Sequence, residues 1–272
     1  MAKPTSSAQP ARGRFDWPWR GGPTFVAPDG SRVSLGGTTL GGTLPGGAAP
    51  GGAAPGGTVP ATSRPWSCGF FALVPGGRRS FTVAETGAFD WHSTYTTIPD
   101  EVLRQPYRGG ELLLGVQRER QEYRAAWRGQ WFELHTRGSG PPPALEEIVR
   151  VFDAFRLTDT PLGMLAQPRS ARQAQLEPFQ VAKQIPDIGY LTIERPASSQ
   201  ILAPDFRGHP TRHGELWRQP LEREAYGRSR PDALVLATPT AITRLVAGPA
   251  DTADPQAVLA FLTGLDVAWE PA

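Results

Sequence analysis

Residues 36–60 form a ladder of five pentapeptides that each open with Gly-Gly, GGTTLGGTLPGGAAPGGAAPGGTVP. Glycine weakens helices and strands through its conformational freedom, and proline lacks the backbone donor that both elements need. Pro45, Pro50 and Pro55 each precede Gly-Gly, which suits successive type II turns. The ladder therefore predicts a tether, either flexible or braced against a surface, between the N-terminal segment and the rest of the chain.

The composition argues against several classes of protein. The 272-residue chain has a formal net charge of +2, and its arginines are mixed with acids, as in Arg118, Glu119 and Arg120. A nucleic-acid-binding protein usually carries a concentrated basic stripe, so we expect no nucleic acid partner. Cys68 is the only cysteine, which leaves no intrachain disulfide and no cysteine-based metal cage.

Hydropathy predicts where the protein is located. The N-terminal residues lack the apolar stretch of about 7–15 residues that a signal peptide contains. No later stretch approaches the roughly 18 apolar residues of a membrane span. We therefore expect no membrane span, and a location in the cytoplasm or in an assembly that is built there.

An aromatic segment, RGRFDWPWRGG, lies ahead of the ladder at residues 12–22. Aromatic and arginine side chains are enriched at the centres of binding sites, so this arm is a candidate partner-binding segment. It could dock onto the rest of the chain, onto a partner, or onto a membrane surface. The candidate contact residues are Phe15, Trp17, Trp19, Arg14 and Arg20.

Short runs rich in β-branched and aromatic residues predict strands. Residues 25–26 and 33–35 can pair as a small hairpin around a Pro-Asp-Gly turn. In a second hairpin, a left-handed Gly129 would place Trp127 opposite Trp131. From residue 66 onwards the predicted strands are 70–74, 80–85, 92–98, 111–116, 122–128, 130–136, 188–194, 233–238 and 241–247.

Two amphipathic helices are predicted. The first has one apolar stripe and begins near Pro143, and the second covers residues 254–265 with Asp254 as its N-cap and Pro255 at its first position. The stripe of the first helix consists of Leu145, Ile148, Val149, Phe152 and Phe155.

Together these elements predict an α+β fold, with antiparallel sheets each covered by an amphipathic helix, in two similar modules, and a Gly/Pro-rich N-terminal arm. Short matches between the halves, such as GEL at 110–112 and at 214–216, fit either duplication or convergent α+β patterning. The predicted parts are an arm with the aromatic segment and small hairpin (1–35), a Gly/Pro linker (36–65), module 1 (66–170) and module 2 (171–272).

The strand QWFELHT followed by the helix pattern ALEEIVRVFDAFRLTD resembles the arrangement in Mog1/PsbP-like α/β modules, possible here in tandem. The resemblance covers part of each half and rests on pattern rather than on a signature motif. It implies binding to, or assembly with, other proteins, and it carries no site residues over to this chain.

The loop at 205–215 holds the densest set of metal-ligating residue types. A His-x3-His pair binds a metal when a helix aligns both rings, but Pro210 and Gly214 interrupt this segment. These residues are therefore weak candidates, and we expect no metal and no other cofactor. The candidates are His209, His213, Asp205 and Glu215.

Two other histidines lie beside acids. Asp90 and His92 would share one face of a strand, which favours a hydrogen-bonded histidine over a catalytic pair. His135 would share a face with Glu133 and Trp131, in a cleft that binds a ligand, on a half-exposed sheet surface, or packed against the other module.

The sequence leaves three functions open. The first is a non-catalytic assembly or scaffold protein that docks into a larger complex through its aromatic arm and module surfaces, with a protein partner or by self-association. The second is a ligand-binding module without catalysis, with a pocket between a sheet and its helix. The third is a hydrolase, metal-assisted through the 205–215 loop.

Overall fold

Strands dominate the protein. The computed structural model describes residues 23–36, 66–96, 99–170, 175–176, 180–185, 188–199, 201, 203–220, 233–247 and 254–272. This part of the chain is 55% strand and 15% helix. Its strands are β1 (Thr24–Val26), β2 (Arg32–Gly36), β3 (Trp66–Val74), β4 (Gly77–Glu85), β5 (Glu101–Tyr107), β6 (Gly110–Gln117), β7 (Glu122–Arg128), β8 (Phe132–Ser139), β9 (Phe155–Thr160), β10 (Gly163–Pro168), β11 (Gln175–Leu176), β12 (Gln180–Ile185), β13 (Gly189–Glu194), β14 (His209–Pro210), β15 (Glu215–Gln219), β16 (Ala233–Ala237), β17 (Ile242–Ala247) and β18 (Asp266–Glu270). Its helices are α1 (Ala88–Tyr95), α2 (Leu145–Asp153) and α3 (Pro255–Gly264), with a 3-10 turn at Pro196–Ser198.

A long antiparallel sheet contains strands from both halves of the chain. Its order is β14-β15-β16-β17-β13-β12-β3-β4-β8-β7-β6-β5, and β11 also pairs with β3. β3 and β12 meet at the centre, where Cys68 lies opposite Val181. From this central pair outwards the strand order is β3-β4-β8-β7-β6-β5 on one side and β12-β13-β17-β16-β15-β14 on the other. The two halves of the sheet therefore have the same topology.

A smaller sheet has the order β18-β2-β1-β10-β9. β1 and β2 form the small hairpin that the sequence predicts, with Phe25 opposite Val33. β1 also pairs in parallel with β10, where Val26 lies opposite Gly163. A side chain at Gly163 would place its Cβ 2.0 Å from the carbonyl oxygen of Val26, so this close approach requires glycine.

The two sheets enclose one continuous apolar core. The ring of Phe25 in the small sheet lies 5.8 Å from Trp66 and 5.9 Å from Phe132, both in the long sheet. Phe155 of β9 meets Phe81 of β4 edge to face at 5.3 Å. Aromatic contacts of this kind add to the stability that burial of the rings provides.

The second and third helices close this core. α2 buries Ile148 and Phe152 from the predicted stripe, together with Val151. α3 begins as predicted, because the Asp254 side chain accepts a hydrogen bond from the Gln256 amide at 3.0 Å and proline occupies the first turn. No helix in the described part of the chain has the length and apolarity that crossing a membrane would take.

The predicted fold class is wrong. The described residues form mostly β structure with three α-helices, and they do not form two α+β modules that each carry their own helix-covered sheet. Ten of the described strands overlap a predicted strand, β3 among them, whereas others, such as β5, β12 and β18, were not predicted. The pairing of the long sheet was not predicted either, because the contact of β3 with β12 joins residues that lie far apart in the sequence.

Two local predictions are also wrong. The predicted strand at 92–98 overlaps helix α1. In the β7–β8 hairpin, Trp127 lies opposite Leu134 rather than Trp131, and Gly129 is not among the left-handed glycines of the described residues. The carboxylate of Asp159 shapes this turn instead, because it accepts the amides of Trp131 at 2.6 Å and Phe132 at 3.1 Å.

Candidate functional site

Helix α1 covers part of the face of the long sheet that points away from the main core. Residues alternate between faces along a strand, so Ala126 points away from the core that its neighbours Ala125 and Trp127 join. Together with Leu113 of β6, Ala126 forms a separate small cluster with Phe89 of α1. α1 thus rests on a small apolar patch of an otherwise polar sheet face.

A buried carboxylate holds the start of α1. Glu133 of β8 is fully buried, and its two oxygens accept hydrogen bonds from the amides of Gly87 at 2.7 Å and Phe89 at 2.8 Å. Gly87 is left-handed, with φ 101°, as the residue before the helix. A negative charge at this position also interacts favourably with the positive end of the helix.

The charge on Glu133 is strongly favoured. Burial alone would raise its pKa, but His135, Arg128 and the Gly87 amide together lower that pKa to about 2. Arg128 Nε lies 2.5 Å from the carboxylate, and the same guanidinium reaches Asp90 of α1 at 2.9 Å. Glu133 is therefore ionised at neutral pH and forms the centre of a buried charge network.

A polar groove runs along the sheet face beside α1. It consists of a cavity of about 460 Å³ and a smaller one of about 240 Å³. Both cavities are lined by Ser80, Arg124 and Arg137, and the smaller one is also lined by His92 and His135. We call these five residues, from β4, α1, β7 and β8, the arginine groove.

Arg124 and Arg137 lie directly opposite each other across β7 and β8. Neither has a salt-bridge partner within 4.0 Å among the described residues. Burial lowers the pKa of Arg124, the charge of Arg137 lowers it further, and the charge of nearby Glu122 acts in the opposite sense. Like charges directly opposite each other destabilise a sheet, so this pair costs stability in the absence of a bound anion.

The two histidines of the groove differ in their surroundings. Burial, with the charges of Arg124 and His135, lowers the pKa of His92 to about 4, so its ring is neutral at neutral pH. His92 Nδ1 lies 3.1 Å from the Thr96 hydroxyl. His135 is only 6% exposed, and its Nε2 lies 3.0 Å from Glu133. His135 is thus placed between a fixed carboxylate and the groove.

The structure does not assemble the metal candidates of the 205–215 loop into a site. His209 lies exposed on β14, Glu215 accepts the Gly208 amide at 3.0 Å, and His213 Nδ1 lies 3.7 Å from Asp266. Asp205 is exposed. Throughout the described ranges, no three histidine, cysteine, aspartate or glutamate side chains are grouped as a metal ion would need.

Asp90 and His92 do not form a pair on a strand, because both lie on α1. Asp90 instead contacts Arg104 at 2.6 Å and Arg128 at 2.9 Å.

The prediction of a half-exposed surface at His135 is wrong, since Glu133 and His135 are both buried. The option of a ligand-binding cleft at this strand agrees with the arginine groove, although His135 rather than Trp131 lines it.

The predicted arm residues lie outside the described residues, as does the ladder after Gly36. Docking through Phe15, Trp17, Trp19, Arg14 and Arg20 therefore stays a prediction.

No family model, no curated protein and no solved structure matches this chain. The resemblance to Mog1/PsbP-like modules consequently stays a prediction as well. The arginine groove has to be interpreted from its own chemistry.

Proposed function

We propose that this protein is a binding protein that holds a small oxyanion-bearing ligand in the arginine groove. One observation carries the proposal: Arg124 and Arg137 lie opposite each other beside a cavity, and among the described residues no carboxylate lies within 4.0 Å of either guanidinium. Guanidinium groups bind carboxylate and phosphate oxygens in a planar, two-pronged geometry. A bound anion would turn the repulsion between the two arginines into attraction to a shared partner.

The size of the groove agrees with a small molecule. The larger cavity, at about 460 Å³, lies within the range of roughly 300–1,000 Å³ that is typical of ligand pockets. The groove also places hydroxyl groups beside the arginines, from Ser80 and Ser93 in addition to Ser139. Such groups could fix the orientation of a ligand whose charge the arginines hold.

The contacts of His135 favour binding over catalysis. An acid–histidine pair becomes a catalytic triad when a hydroxyl nucleophile contacts the free ring nitrogen. Glu133 lies 3.0 Å from His135 Nε2, but in the described part of the chain neither ring nitrogen of His135 has a hydrogen-bond partner, so no hydroxyl is paired with the ring. We therefore retain the ligand-binding hypothesis without catalysis. The predicted cytoplasmic location and protein partner remain hypotheses that the groove does not address.

Titration calorimetry with inorganic phosphate, sulfate and acetate tests the proposed function. We expect binding of at least one anion, and a loss of at least tenfold in affinity in Arg124→Gln and in Arg137→Gln. Arg207→Gln, which removes an exposed arginine outside the groove, is the matched control and should bind as the wild type does. Absence of binding to all three anions would contradict the proposal.

The same variants give a second, independent result. Because the two arginines repel each other, neutralising either one should stabilise the unliganded protein by about 0.2–1 kcal/mol. A purely structural role for Arg124 or Arg137 predicts the opposite, a lower melting temperature. Melting curves without ligand therefore separate a binding role from a structural one.

A further inference from the structure

The larger cavity of the arginine groove is lined by charges of both signs. Arg124 and Arg137 line it, and so does Glu122, an exposed acid at the start of β7. Side chains two residues apart on a strand point to the same face of the sheet, so Glu122 and Arg124 face the same side, about 7 Å apart along β7. The floor of the cavity therefore combines a positive end with a negative end.

The strand register arranges these charges in two neighbouring rows across the sheet. Arg124 lies opposite Arg137 in one row, and Glu122 lies opposite Ser139 in the next. On the other side of β7, Gln117 of β6 lies opposite Glu122. All five residues line the cavity. The second row thus presents a carboxylate flanked by an amide and a hydroxyl, beside a row that presents two guanidinium groups.

Glu122 and the arginines do not neutralise each other by contact. Among the described residues, no arginine, lysine or histidine nitrogen lies within 4.0 Å of the Glu122 carboxylate. Its charge nevertheless reaches Arg124, because it raises the Arg124 pKa against the lowering caused by burial and by Arg137. The opposite charges are therefore near each other and separate, and a ligand that binds to both breaks no ion pair between them.

A simple anion would use only one end of this cavity. Arg124 and Arg137 would attract it, while the nearby Glu122 carboxylate would repel it. A ligand that also carries a protonated amine turns that repulsion into attraction, because its charges then complement both rows. An ammonium group only donates hydrogen bonds and a carboxylate only accepts them, so the two satisfy each other.

We propose that the ligand of the arginine groove is a small zwitterion, with its oxyanion held by Arg124 and Arg137 and its protonated amine held by Glu122. This inference rests on the proposed function. Amino carboxylic acids and amine-bearing phosphate esters share this chemistry. Since the two rows lie about 7 Å apart, the amine and the oxyanion are joined by a linker of a few carbon atoms.

Titration calorimetry at pH 7 with two matched pairs of compounds tests the inference. The members of each pair differ only by an amine: β-alanine against propionate, and phosphoethanolamine against ethyl phosphate. Alkyl amines of this kind are protonated at pH 7, as lysine is. We expect the amine-bearing member of at least one pair to bind about tenfold more tightly than its partner, as one added hydrogen bond between charged groups would give. The pair that binds more tightly identifies the oxyanion.

The variant Glu122→Gln should remove this preference. Its affinity for the amine-bearing compound should fall by about tenfold, because the charged partner of the amine is lost. Its affinity for the amine-free compound should stay the same or increase, because the repulsion is lost as well. A purely structural role of Glu122 would instead weaken both compounds alike. The matched control is Glu119→Gln, which removes an exposed acid outside the groove and should keep the wild-type preference.

Each result decides between the two proposals. Equal binding within both pairs, or tighter binding of the amine-free compounds, would overturn the inference and leave the proposed function standing. A preference for the amine that Glu122→Gln retains would do the same. Absence of binding of all four compounds would overturn both. If Glu122→Gln does not fold, the two matched pairs on the wild type decide alone.

Discussion

Glu133 and Phe89 join β8 to the first turn of α1, because the Glu133 carboxylate accepts the Phe89 amide at 2.8 Å. The same carboxylate holds the Gly87 amide and the Arg128 guanidinium. One buried acid thus determines where α1 sits on the sheet. Since His92 of α1 and His135 beside Glu133 both line the groove, the shape of the groove depends on the same acid.

The substitution Glu133→Gln should destabilise the protein by about 3 kcal/mol, since it removes one partner of a buried charge network. Arg128 would lose its closest carboxylate, which lies at 2.5 Å. Urea denaturation measures the change, with the exposed Glu119→Gln as the control. A loss below about 1 kcal/mol, typical of exposed ion pairs, would show that the network contributes little.

The contribution of Glu133 to the free energy of unfolding should disappear in acid. Its pKa is lowered from 4.5 to about 2 in the folded protein, so the folded state holds its proton less tightly than the unfolded state does. The stability it provides is complete above about pH 4.5 and is lost as the pH falls towards 2. The stability difference between wild type and Glu133→Gln should therefore shrink over this range. A difference that stays constant down to pH 2.5 would contradict the assignment.

Lys183 should make stability increase with pH in the alkaline range. It is fully buried, with Nζ 4.4 Å from the Trp66 ring centre. Burial, partly offset by the charge of Glu85, lowers its pKa from 10.5 to about 8. Between these two pKa values the unfolded state binds more protons than the folded state. The free energy of unfolding therefore increases as the pH rises, because the cost of burying a charged amine disappears.

The measurement compares wild type with Lys183→Met at pH 7, 8, 9 and 10. The wild type should gain up to about 3 kcal/mol relative to the variant over this range. Burial also raises the pKa of Cys68, which opposes the gain, but this contribution is common to both proteins and cancels in the comparison. A constant difference between the two proteins would show that the Lys183 pKa is not lowered.

The substitution Gly129→Ala should destabilise the β7–β8 turn. An added Cβ would lie 2.4 Å from an Asp159 carboxylate oxygen, the group that accepts two amides of the turn. Crowding of this kind costs about 1–3 kcal/mol. Gly69→Ala is the matched control, because a Cβ at this strand position meets nothing within 4 Å and should be neutral or stabilising. Equal melting temperatures for the two variants would contradict the role of Asp159.

Local features of the sequence predicted part of the local structure. Alternation and turn residues located the hairpin of Phe25 with Val33, and the cap Asp254 located the start of α3. α1 was missed, because its aromatic residues Phe89, Trp91 and Tyr95 are typical of strands. Its helical form depends on a tertiary contact, the capping of its amides by Glu133, which no local pattern contains.

The sequence did not predict the candidate site because the register predicted for β7 against β8 was wrong. Placing Trp127 opposite Trp131 would have set Arg124 opposite Leu134, an ordinary pair. The observed register, fixed by the Asp159 carboxylate at the turn, sets Arg124 opposite Arg137 instead. Strand register depends on such turn contacts, and Asp159 comes from a strand that lies beyond the next helix.

The pairing of β2 with β18 has a consequence for how the protein is made. β2 is among the earliest described strands to leave the ribosome, and β18 is the last. The edge of β2 that β18 covers therefore stays unpaired while the chain between Gly36 and Asp266 is synthesised, which includes every strand of the long sheet. Until Trp269 emerges and pairs opposite Val33, this edge is the place where a nascent chain would be open to mispairing with its neighbours.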